Sequence, residues 1–239
     1  MNDRAPDSAQ LYEGYQAWKG WRGAFTASER DARYYAAELA NLPLTGRRVL
    51  EIGFGNGSFL AWARAQGAQV TGTELIDALV EQARANGYDG QPASLQALSA
   101  GGRQFDVIVA FDVLEHFSRH ALVATMRQIH ALLAPQGHLL ARFPNGHSPA
   151  GLVHQHGDLT HLTALSSSSM TQLAQITGFA VERIDNERRV PSRRDPWSRL
   201  KFRWQAFRRA RIEKAFGELY GFGRLPLDPN LTALLRKME

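Results

Sequence analysis

The sequence predicts an α/β fold in which helices flank both faces of a doubly wound, mostly parallel β-sheet. Strand-like apolar runs alternate with helical patterns from Arg47 onward, and the first run ends in a glycine-rich turn that leads directly into a helix. The 239 residues, 44% of them hydrophobic, suffice for one such domain with appended segments. We therefore expect a helical N-terminal segment over residues 1–45, the α/β domain over residues 46–190 and a basic amphipathic C-terminal extension over residues 191–239.

Each element follows from a local pattern. In the N-terminal segment, a helix is expected to begin after Thr26 or Ser28 and to run toward Leu39. A helix over residues 118–133 is expected to stop at Pro135 and Gly137, because proline cannot continue a helix. The other helices expected in the α/β domain are SFLAWARAQG, residues 77–86 and SSSSMTQLAQITG, and the expected strands are RRVLEIG, QVTGTEL, FDVIVAF, HLLARFP and FAVERID.

Composition excludes several classes of protein. No apolar run approaches the roughly 20 residues that span a bilayer, and residues 1–10 lack the apolar region of a signal peptide. The absence of cysteine excludes disulfides and thiolate metal sites, so that any metal would need histidine and carboxylate ligands. We therefore expect a cytoplasmic protein.

The glycine-rich turn after the first strand indicates a ligand site. Glycines at 53, 55 and 57 permit positive φ and leave no Cβ between the backbone and a ligand at the carboxyl edge of the sheet. A dinucleotide-binding fingerprint would need its third glycine or alanine at position 58, where this chain has Ser58. Glu74 closes the second strand 21 positions after Gly53, where a carboxylate can accept both hydroxyls of a ribose. Turn and carboxylate together favour an adenosyl ligand.

In these residues the chain resembles the class I S-adenosylmethionine-dependent methyltransferases, whose motif E/D-x-G-x-G-x-G is present as EIGFGNG. The segments VTGTEL, FDVIVAFDVLEH and LLAPQGHLLARFPN follow in the family's order, so the resemblance covers residues 45–185. It implies a Rossmann-like methyltransferase fold with S-adenosyl-L-methionine as the cofactor. The family's adenine-contacting Asp is absent here, and Ser94 or Gln96 stands near its place. The cofactor contacts that the resemblance implies are Gly53, Gly55 and Gly57 at the methionine end, Glu51 at the amino group, Glu74 at the ribose, Leu75 on the adenine, and Asp112 after the fourth strand.

The chemistry of methyl transfer suggests which residues act on the acceptor. A sulfonium methyl group is already activated, so transfer needs alignment and desolvation of the nucleophile, and a hydroxyl acceptor also needs a base. Histidine loses its proton near neutral pH, and a neighbouring Asp can fix its tautomer. We expect His161 to be the general base, Asp158 to orient it, and His116 to line the acceptor pocket. The alternative, in which these histidines cap helices or lie in solvent, stays open.

A metal site is a second interpretation of the same region. Asp112, Glu115 and His116, with a histidine from the following loop, resemble the E-x-x-E-H plus His cluster of small-RNA 2′-O-methyltransferases and quinone-pathway O-methyltransferases. Oxygen and imidazole ligands suit Mg²⁺ or Mn²⁺. Because the first position holds the shorter Asp112, we expect no metal and keep the metal-dependent enzyme as the alternative.

The C-terminal extension carries most of the excess positive charge. Eleven Lys or Arg residues lie between Arg188 and Lys214, against only two acidic residues. Asp195 followed by Pro196 is typical of a helix start, and the helix expected over residues 195–216 places its apolar side chains on one face. This face is expected to pack on the core, or to contact a membrane surface peripherally. Nucleic acid is not expected, because stacking aromatics would have to be displayed. The apolar side chains in question are Trp197, Leu200, Trp204 and Phe207.

The acceptor is the least determined part of the function. A loop with PN followed by D-x-T-H, and a helix end such as Thr177-Gly178-Phe179, is similar to methyltransferases of bacterial surface-polysaccharide clusters. That resemblance implies O-methylation of a sugar hydroxyl in a surface glycan or its lipid-linked precursor. Two alternatives stay open: an O- or N-methyltransferase for a small metabolite or quinone, and a protein that binds S-adenosylmethionine without catalysis.

Overall fold

The computed structural model describes residues 14–21, 25–191 and 195–239. The rest of the expected N-terminal segment, residues 1–13 and 22–24, lies outside the described residues. The helices are α1 (Tyr15–Trp18), α2 (Glu29–Glu38), α3 (Ser58–Ala65), α4 (Asp77–Ala85), α5 (Leu95–Ala100), α6 (Arg119–Leu132), α7 (Pro149–His156), α8 (Ser167–Ile176) and α9 (Pro196–Tyr220). The strands are β1 (Arg48–Ile52), β2 (Gln69–Glu74), β3 (Asp89–Pro92), β4 (Phe105–Phe111), β5 (Leu133–Pro144), β6 (Phe179–Asn186) and β7 (Asn230–Lys237).

The seven strands form one sheet in the order β3-β2-β1-β4-β5-β7-β6. Strands β1 to β5 are parallel, whereas β7 is antiparallel to both β5 and β6. The parallel strands therefore end at one edge, which carries the glycine turn after β1 and the loops after β4 and β5. The predicted doubly wound α/β fold is confirmed.

Alternating side chains of the central strands build two cores. Leu50 and Ile108 point to a face covered by α6, where Met126 and Ile129 are buried. Their neighbours in sequence point the other way, because successive side chains of a strand alternate between faces. Val49, Val107 and Leu140 pack there with Tyr35 of α2 and Phe59 of α3. Helices packed on both faces therefore hold the central strands, and with them the edge at which these strands end, in a defined position.

Three strands differ from the sequence prediction. Strand β3 is not among the expected strands. Strand β5 was expected to begin after Pro135 and Gly137, but it begins at Leu133, directly after α6. Its register against β4 shifts between Phe105 and Val107. Pro135 is tolerated there because the irregular pairing does not require its missing N–H. Strand β7 lies inside the segment expected as a C-terminal extension, so this part of the predicted domain boundary is corrected. Its residues follow a basic helix, which hides their relation to the sheet in the sequence.

Helix α9 begins as predicted but packs differently. The Asp195 carboxylate accepts a hydrogen bond from the N–H of Ser198 and caps the helix. The apolar face is not buried on the core: Trp197 is 79% exposed and Trp204 is 56% exposed. The opposite face contacts the domain, and Glu213 and Gly217 are buried there. The expectation that the aromatic residues pack on the core is therefore wrong.

Within the described ranges, none of the helices combines the length and the apolarity needed to cross a membrane.

Candidate active site

The glycine turn has the backbone conformation that its sequence predicts. Strand β1 ends at Ile52, and Gly53, Gly55 and Gly57 adopt φ values of +68°, +52° and +74° before α3 begins at Ser58. Side chains rarely adopt such positive φ values, so glycine is favoured at these positions. The turn therefore brings backbone N–H groups to the carboxyl edge of the sheet.

Glu74, at the end of β2, is tied to this turn. Its carboxylate accepts hydrogen bonds from the backbone N–H groups of Gly55 at 2.9 Å, Leu75 at 2.7 Å and Ile76 at 3.2 Å. The carboxylate is held at the rim of the sheet beside the turn. This is the place in which a ribose hydroxyl acceptor was expected.

A cavity of about 400 Å³ opens between the turn and the loop after β4. Four of the predicted cofactor residues line it: Gly53, Glu74, Leu75 and Asp112. Leu75 leaves 57% of its surface exposed, and an apolar side chain exposed in a cavity wall suits the face of a flat ring such as adenine. We call this cavity the cofactor cavity.

The other three predicted cofactor residues do not line the cavity. Glu51 is only 4% exposed beneath the turn, and burial, together with the neighbouring Glu74 carboxylate, raises its pKa well above the ordinary value. A Cβ on Gly55 would lie 3.0 Å from the ring of Trp21, and a Cβ on Gly57 would lie 2.2 Å from the ring of Phe25. The bare backbone at these glycines is thus covered by aromatic side chains of the chain itself.

Residues of α1 and of the segment directly after it form part of the site, which the sequence does not predict. Tyr15, Lys19 and Trp21 all line the cofactor cavity. The Tyr15 hydroxyl donates to the Asp158 carboxylate at 2.9 Å, and Lys19 Nζ lies 3.0 Å from the same carboxylate. The cluster of aromatic residues before position 26 is the only sequence signal for this arrangement, and it does not reveal what they contact.

A second cavity of about 400 Å³ adjoins the cofactor cavity. The two cavities share Lys19 and Asp112, and the second is also lined by Glu115, Asp158 and His161. Two of the three residues predicted for catalysis therefore lie beside the predicted cofactor position. We call this second cavity the acceptor cavity.

Asp158 and His161 are close but not hydrogen-bonded. His161 Nε2 lies 3.7 Å from Asp158 Oδ2 and 3.9 Å from Glu115 Oε1. The Asp158 carboxylate instead accepts hydrogen bonds from the N–H and the hydroxyl of Thr160 and from Tyr15. Although burial acts in the opposite direction, these hydrogen bonds and Lys19 hold the pKa of Asp158 well below its usual range. Asp158 is thus a fixed negative charge beside the histidine.

His154 also lines the acceptor cavity. The other two histidines of the site, His116 and His161, are neutral near pH 7. Burial lowers the pKa of His161, and burial with the nearby His161 lowers the pKa of His116 to about 4. Their rings meet edge to face with centroids 4.7 Å apart, and His116 Nδ1 lies 3.3 Å from the carbonyl oxygen of Thr160. His116 lines the cofactor cavity rather than the acceptor cavity, which differs from its predicted place. A neutral imidazole is the form that accepts a proton.

Glu115 is the most unusual acidic residue of the site. Its side chain is completely buried, and within residues 14–21, 25–191 and 195–239 neither carboxylate oxygen has a hydrogen-bond partner. Burial, reinforced by the Asp112 charge, raises its pKa well above the ordinary value. Ligand atoms of Glu115, His116 and His161 lie within 4.8 Å of one another, a spacing at which they could share a metal ion.

Asp112 does not belong to that metal-binding set. It adopts a left-handed φ of 56°, and its carboxylate accepts from Arg142 Nε at 2.9 Å and from a second guanidinium nitrogen. Burial opposes ionisation, but the Arg142 charge lowers the pKa of Asp112. Because both carboxylate oxygens are taken by Arg142, the metal set that includes Asp112 is corrected to Glu115, His116 and His161.

Other polar residues of the loop after β5 serve the fold. Asn145 is fully buried, and its amide donates to the carbonyl oxygens of Pro226 and Asp228. His147 contacts Ser167, whereas His156 is exposed and lines neither cavity. Of the residues considered for adenine, Ser94 caps α5 by accepting from the N–H of Ala97. Of the histidines in the loop after β5, His161 alone approaches His116.

Comparison with known proteins places the chain in one family. Residues 27–184 match the model of a family described as a methyltransferase domain. The ubiquinone biosynthesis O-methyltransferase of Ruegeria pomeroyi is 31% identical over 101 residues, which cover 40% of this chain and 40% of that protein. The chain thus spans about two fifths of that curated relative's length.

A longer match and a solved structure agree with it. The ubiquinone biosynthesis O-methyltransferase of Xanthomonas oryzae pv. oryzae is 29% identical over 181 residues, which cover 64% of this chain and 74% of that protein. A crystal structure described as a SAM dependent methyltransferase from Archaeoglobus fulgidus has a TM-score of 0.63 and 14% identity, and the match covers 97% of this chain and 100% of that one. At that identity the structural match shows the fold alone.

Proposed function

Because the chain belongs to the methyltransferase-domain family, we propose that it transfers the methyl group of S-adenosyl-L-methionine to a hydroxyl of a small-molecule acceptor. One observation carries the proposal. The cofactor cavity and the acceptor cavity share Lys19 and Asp112, and the second of them contains a histidine that is neutral near pH 7.

The residues of the cofactor cavity fit an adenosyl ligand. Glu74 lies where it can accept hydrogen bonds from the ribose hydroxyls, and Leu75 offers an apolar wall to the adenine. Gly53 leaves the backbone accessible at the turn. When bound, S-adenosyl-L-methionine supplies an activated methyl group. We assign its methionine end to the side near Asp112, where the two cavities meet.

On the acceptor side, the protein aligns a hydroxyl and removes its proton. His161 Nε2 accepts the proton, and the imidazolium that results is stabilised by the Asp158 carboxylate 3.7 Å away. Tyr15 and Lys19 close the site from the N-terminal side by bonding to Asp158. Exclusion of water by this cover keeps the attacking oxygen weakly solvated.

The relatives favour a phenolic hydroxyl of a quinone precursor as the acceptor. Both curated relatives described above are named for ubiquinone biosynthesis. The sugar hydroxyl of a surface glycan or lipid-linked precursor, which the D-x-T-H loop suggests, stays a prediction and is the second candidate. Both kinds of acceptor offer a hydroxyl whose proton His161 would accept.

A metal-assisted variant of the reaction is supported by the orphaned Glu115 carboxylate. Glu115, His116 and His161 would hold the ion, and one carboxylate with two neutral imidazoles suits Mn²⁺ better than Mg²⁺. A bound cation would compensate the buried carboxylate and would polarise an acceptor hydroxyl.

We test the proposal by separating cofactor binding from transfer. We expect Glu74→Ala to abolish the heat of S-adenosylmethionine binding in titration calorimetry, whereas Glu218→Ala, at an exposed glutamate of α9, should bind normally. His161→Gln should retain binding but lose methyl transfer about 10²–10⁴-fold with phenolic or sugar acceptors. His156→Gln, an exposed histidine of the same region, is its matched control. Tight binding without transfer to any acceptor would indicate a non-catalytic binding protein instead.

We further propose that helix α9 contacts an anionic membrane surface. Its exposed face carries two tryptophans, a leucine and a phenylalanine flanked by Lys and Arg side chains. Aromatic residues insert at the membrane interface, and each basic residue adds about 1 kcal/mol near anionic lipid. In the cytoplasm expected from the sequence, the facing leaflet is the anionic one. A lipid-borne acceptor would then be delivered near the site.

Vesicle flotation tests this contact. The protein should float with vesicles containing anionic phospholipid and not with neutral vesicles. Trp197→Ser with Trp204→Ser should reduce flotation at least tenfold, whereas Ile176→Ser, an exposed apolar residue of α8, should not. Failure to float at low salt, or binding to single-stranded RNA in place of vesicles, would contradict the membrane contact.

A further inference from the structure

A third and larger cavity, of about 710 Å³, lies next to the acceptor cavity. It is bounded by α2, the segment after β6 and the inner side of α9, and we call it the basic cleft. The basic cleft and the acceptor cavity share His154 and Asn230 in their walls. Arg142, the partner of Asp112, also lines the basic cleft. The cleft therefore adjoins the place assigned to the acceptor.

Cationic side chains dominate the walls of the basic cleft. The two carboxylates in its wall are Asp31 and Glu187. The six cationic side chains are Arg30, Arg142, Arg188, Arg189, Lys201 and Arg209. This excess of positive charge is concentrated around one concave surface rather than spread over a flat one.

Three of these cations have no partner among the residues that the structure describes. Arg189 and Arg209 both approach the buried Asp228 carboxylate, at 2.6 Å and 3.7 Å. The side chains of the other cleft cations without a partner form no ion pair or hydrogen bond with any residue that the structure describes. These cations are Arg30, Arg188 and Lys201.

A buried hydroxyl lies behind the wall of the cleft. Tyr34 lines the cleft, and its hydroxyl donates to no acceptor among the described residues, although the Arg142 guanidinium lies beside it. A buried hydroxyl without a partner is uncommon in a folded protein, because it loses its hydrogen bond to water. The oxygen itself has almost no exposed surface, so it lies behind the wall of the cleft rather than on it.

We propose that the basic cleft binds a phosphate or diphosphate group that the methyl acceptor carries. Guanidinium groups bind phosphate oxygens through paired hydrogen bonds, and three cations without partners match the charge of a diphosphate better than that of a single carboxylate. The hydroxyl to be methylated would lie in the acceptor cavity and the phosphate in the cleft. This assignment rests on the proposed function, and it names the substrate class as a phosphorylated hydroxyl compound.

Calorimetry with inorganic pyrophosphate tests the cleft without methyl transfer. In low salt with EDTA, one pyrophosphate should bind per chain. Arg188→Gln with Lys201→Gln should weaken binding at least tenfold and leave S-adenosylmethionine binding unchanged. The matched control, Arg119→Gln with Arg127→Gln, removes the same charge from exposed positions of α6 and should change pyrophosphate affinity less than twofold. Absence of pyrophosphate binding, or an equal loss in the control, would overturn the proposal.

A second experiment distinguishes a lipid phosphate from the phosphate of a soluble acceptor. If the cleft takes a lipid phosphate, pyrophosphate should displace the protein from anionic vesicles, and Arg188→Gln alone, which leaves the charge of α9 unchanged, should float poorly. If it takes a soluble phosphorylated acceptor, pyrophosphate should bind without affecting flotation. Either result supports the phosphate site. If pyrophosphate binds but S-adenosylmethionine does not, the cleft assignment stands while the proposed methyl transfer fails.

Discussion

Replacement of Gly57 by alanine should loosen the cover over the cofactor turn. The new Cβ would lie 2.2 Å from the Phe25 ring, which is buried and stacks on Tyr88 with centroids 4.9 Å apart. The φ of +74° adds about 1–2 kcal/mol of backbone strain for a residue with a Cβ. Displacing the Phe25 ring into solvent costs a further ~1.5–3 kcal/mol. The expected loss in free energy of unfolding is about 2.5–5 kcal/mol.

Gly87→Ala provides the control. Gly87 has a φ of +72° and no atom within 4 Å of the position that an added Cβ would take, so this substitution introduces the backbone strain alone. At ~2–4 °C per kcal/mol for a chain of this size, Gly57→Ala should lower the melting temperature by about 5–20 °C and Gly87→Ala by about 2–8 °C.

Thermal unfolding followed by circular dichroism measures both variants. Cofactor affinity, measured by calorimetry, should fall only in Gly57→Ala, because Trp21 lines the cofactor cavity and packs against the buried cluster that contains Phe25. In a Phe25→Ala background the two glycine substitutions should become equal, since the clash is gone. If Gly57→Ala melts no lower than Gly87→Ala, the inference that Phe25 covers the turn is refuted.

Three further predictions concern Glu115 and Asn145. Because burial raises the pKa of Glu115, the folded protein keeps that proton to higher pH than the unfolded chain, and stability should fall as pH rises from about 4.5 through the raised pKa. Glu115→Gln should remove this loss of stability. Without metal, the variant and the wild type should have the same urea midpoint near pH 4, and the variant should be more stable at pH 8. Stability that changes with pH in parallel in the two proteins would contradict this prediction. If Glu115, His116 and His161 hold a metal, EDTA should abolish methyl transfer and Mn²⁺ should restore it. Mn²⁺ should also raise the melting temperature of the wild type but not that of Glu115→Gln. Methyl transfer that is unchanged by EDTA would exclude a metal at these residues. Asn145→Ala should lower the free energy of unfolding by about 2–4 kcal/mol, because two carbonyl oxygens lose their donor, and urea denaturation with an unchanged midpoint would refute it.

The sequence predicts those parts of the site that follow from local pattern. The glycine turn, Glu74 and Leu75 are fixed by one strand, one turn and the next strand, and parallel strands must end at the same edge. The meeting of His116 and His161 also follows, because the loops after β4 and β5 leave neighbouring strands. The family and the fold predicted from these residues are confirmed.

Contacts between distant segments could not be predicted from local sequence patterns. Tyr15 and Asp158 are 143 positions apart, and no periodicity relates them. The same applies to Arg142, which pairs with Asp112 from the neighbouring strand and removes it from the metal set that was kept as the alternative. The hydrophobic face of α9 was misjudged because an apolar stripe in the sequence does not distinguish a buried face from a displayed one. Its exposure depends on the side that Glu213 and Gly217 present to the domain.

The position of β7 has a consequence for how the chain assembles during synthesis. In the described sheet β6 pairs with β7 alone, and β7 also forms the link to β5. The ribosome makes β6 some forty residues before its partner, so β6 and α9 must wait, unpaired, until residues 230–237 have emerged. The five parallel strands can pair early, whereas β6 and β7 join the sheet last. Until then β5 is an edge strand with unpaired backbone groups, to which neighbouring chains could bind.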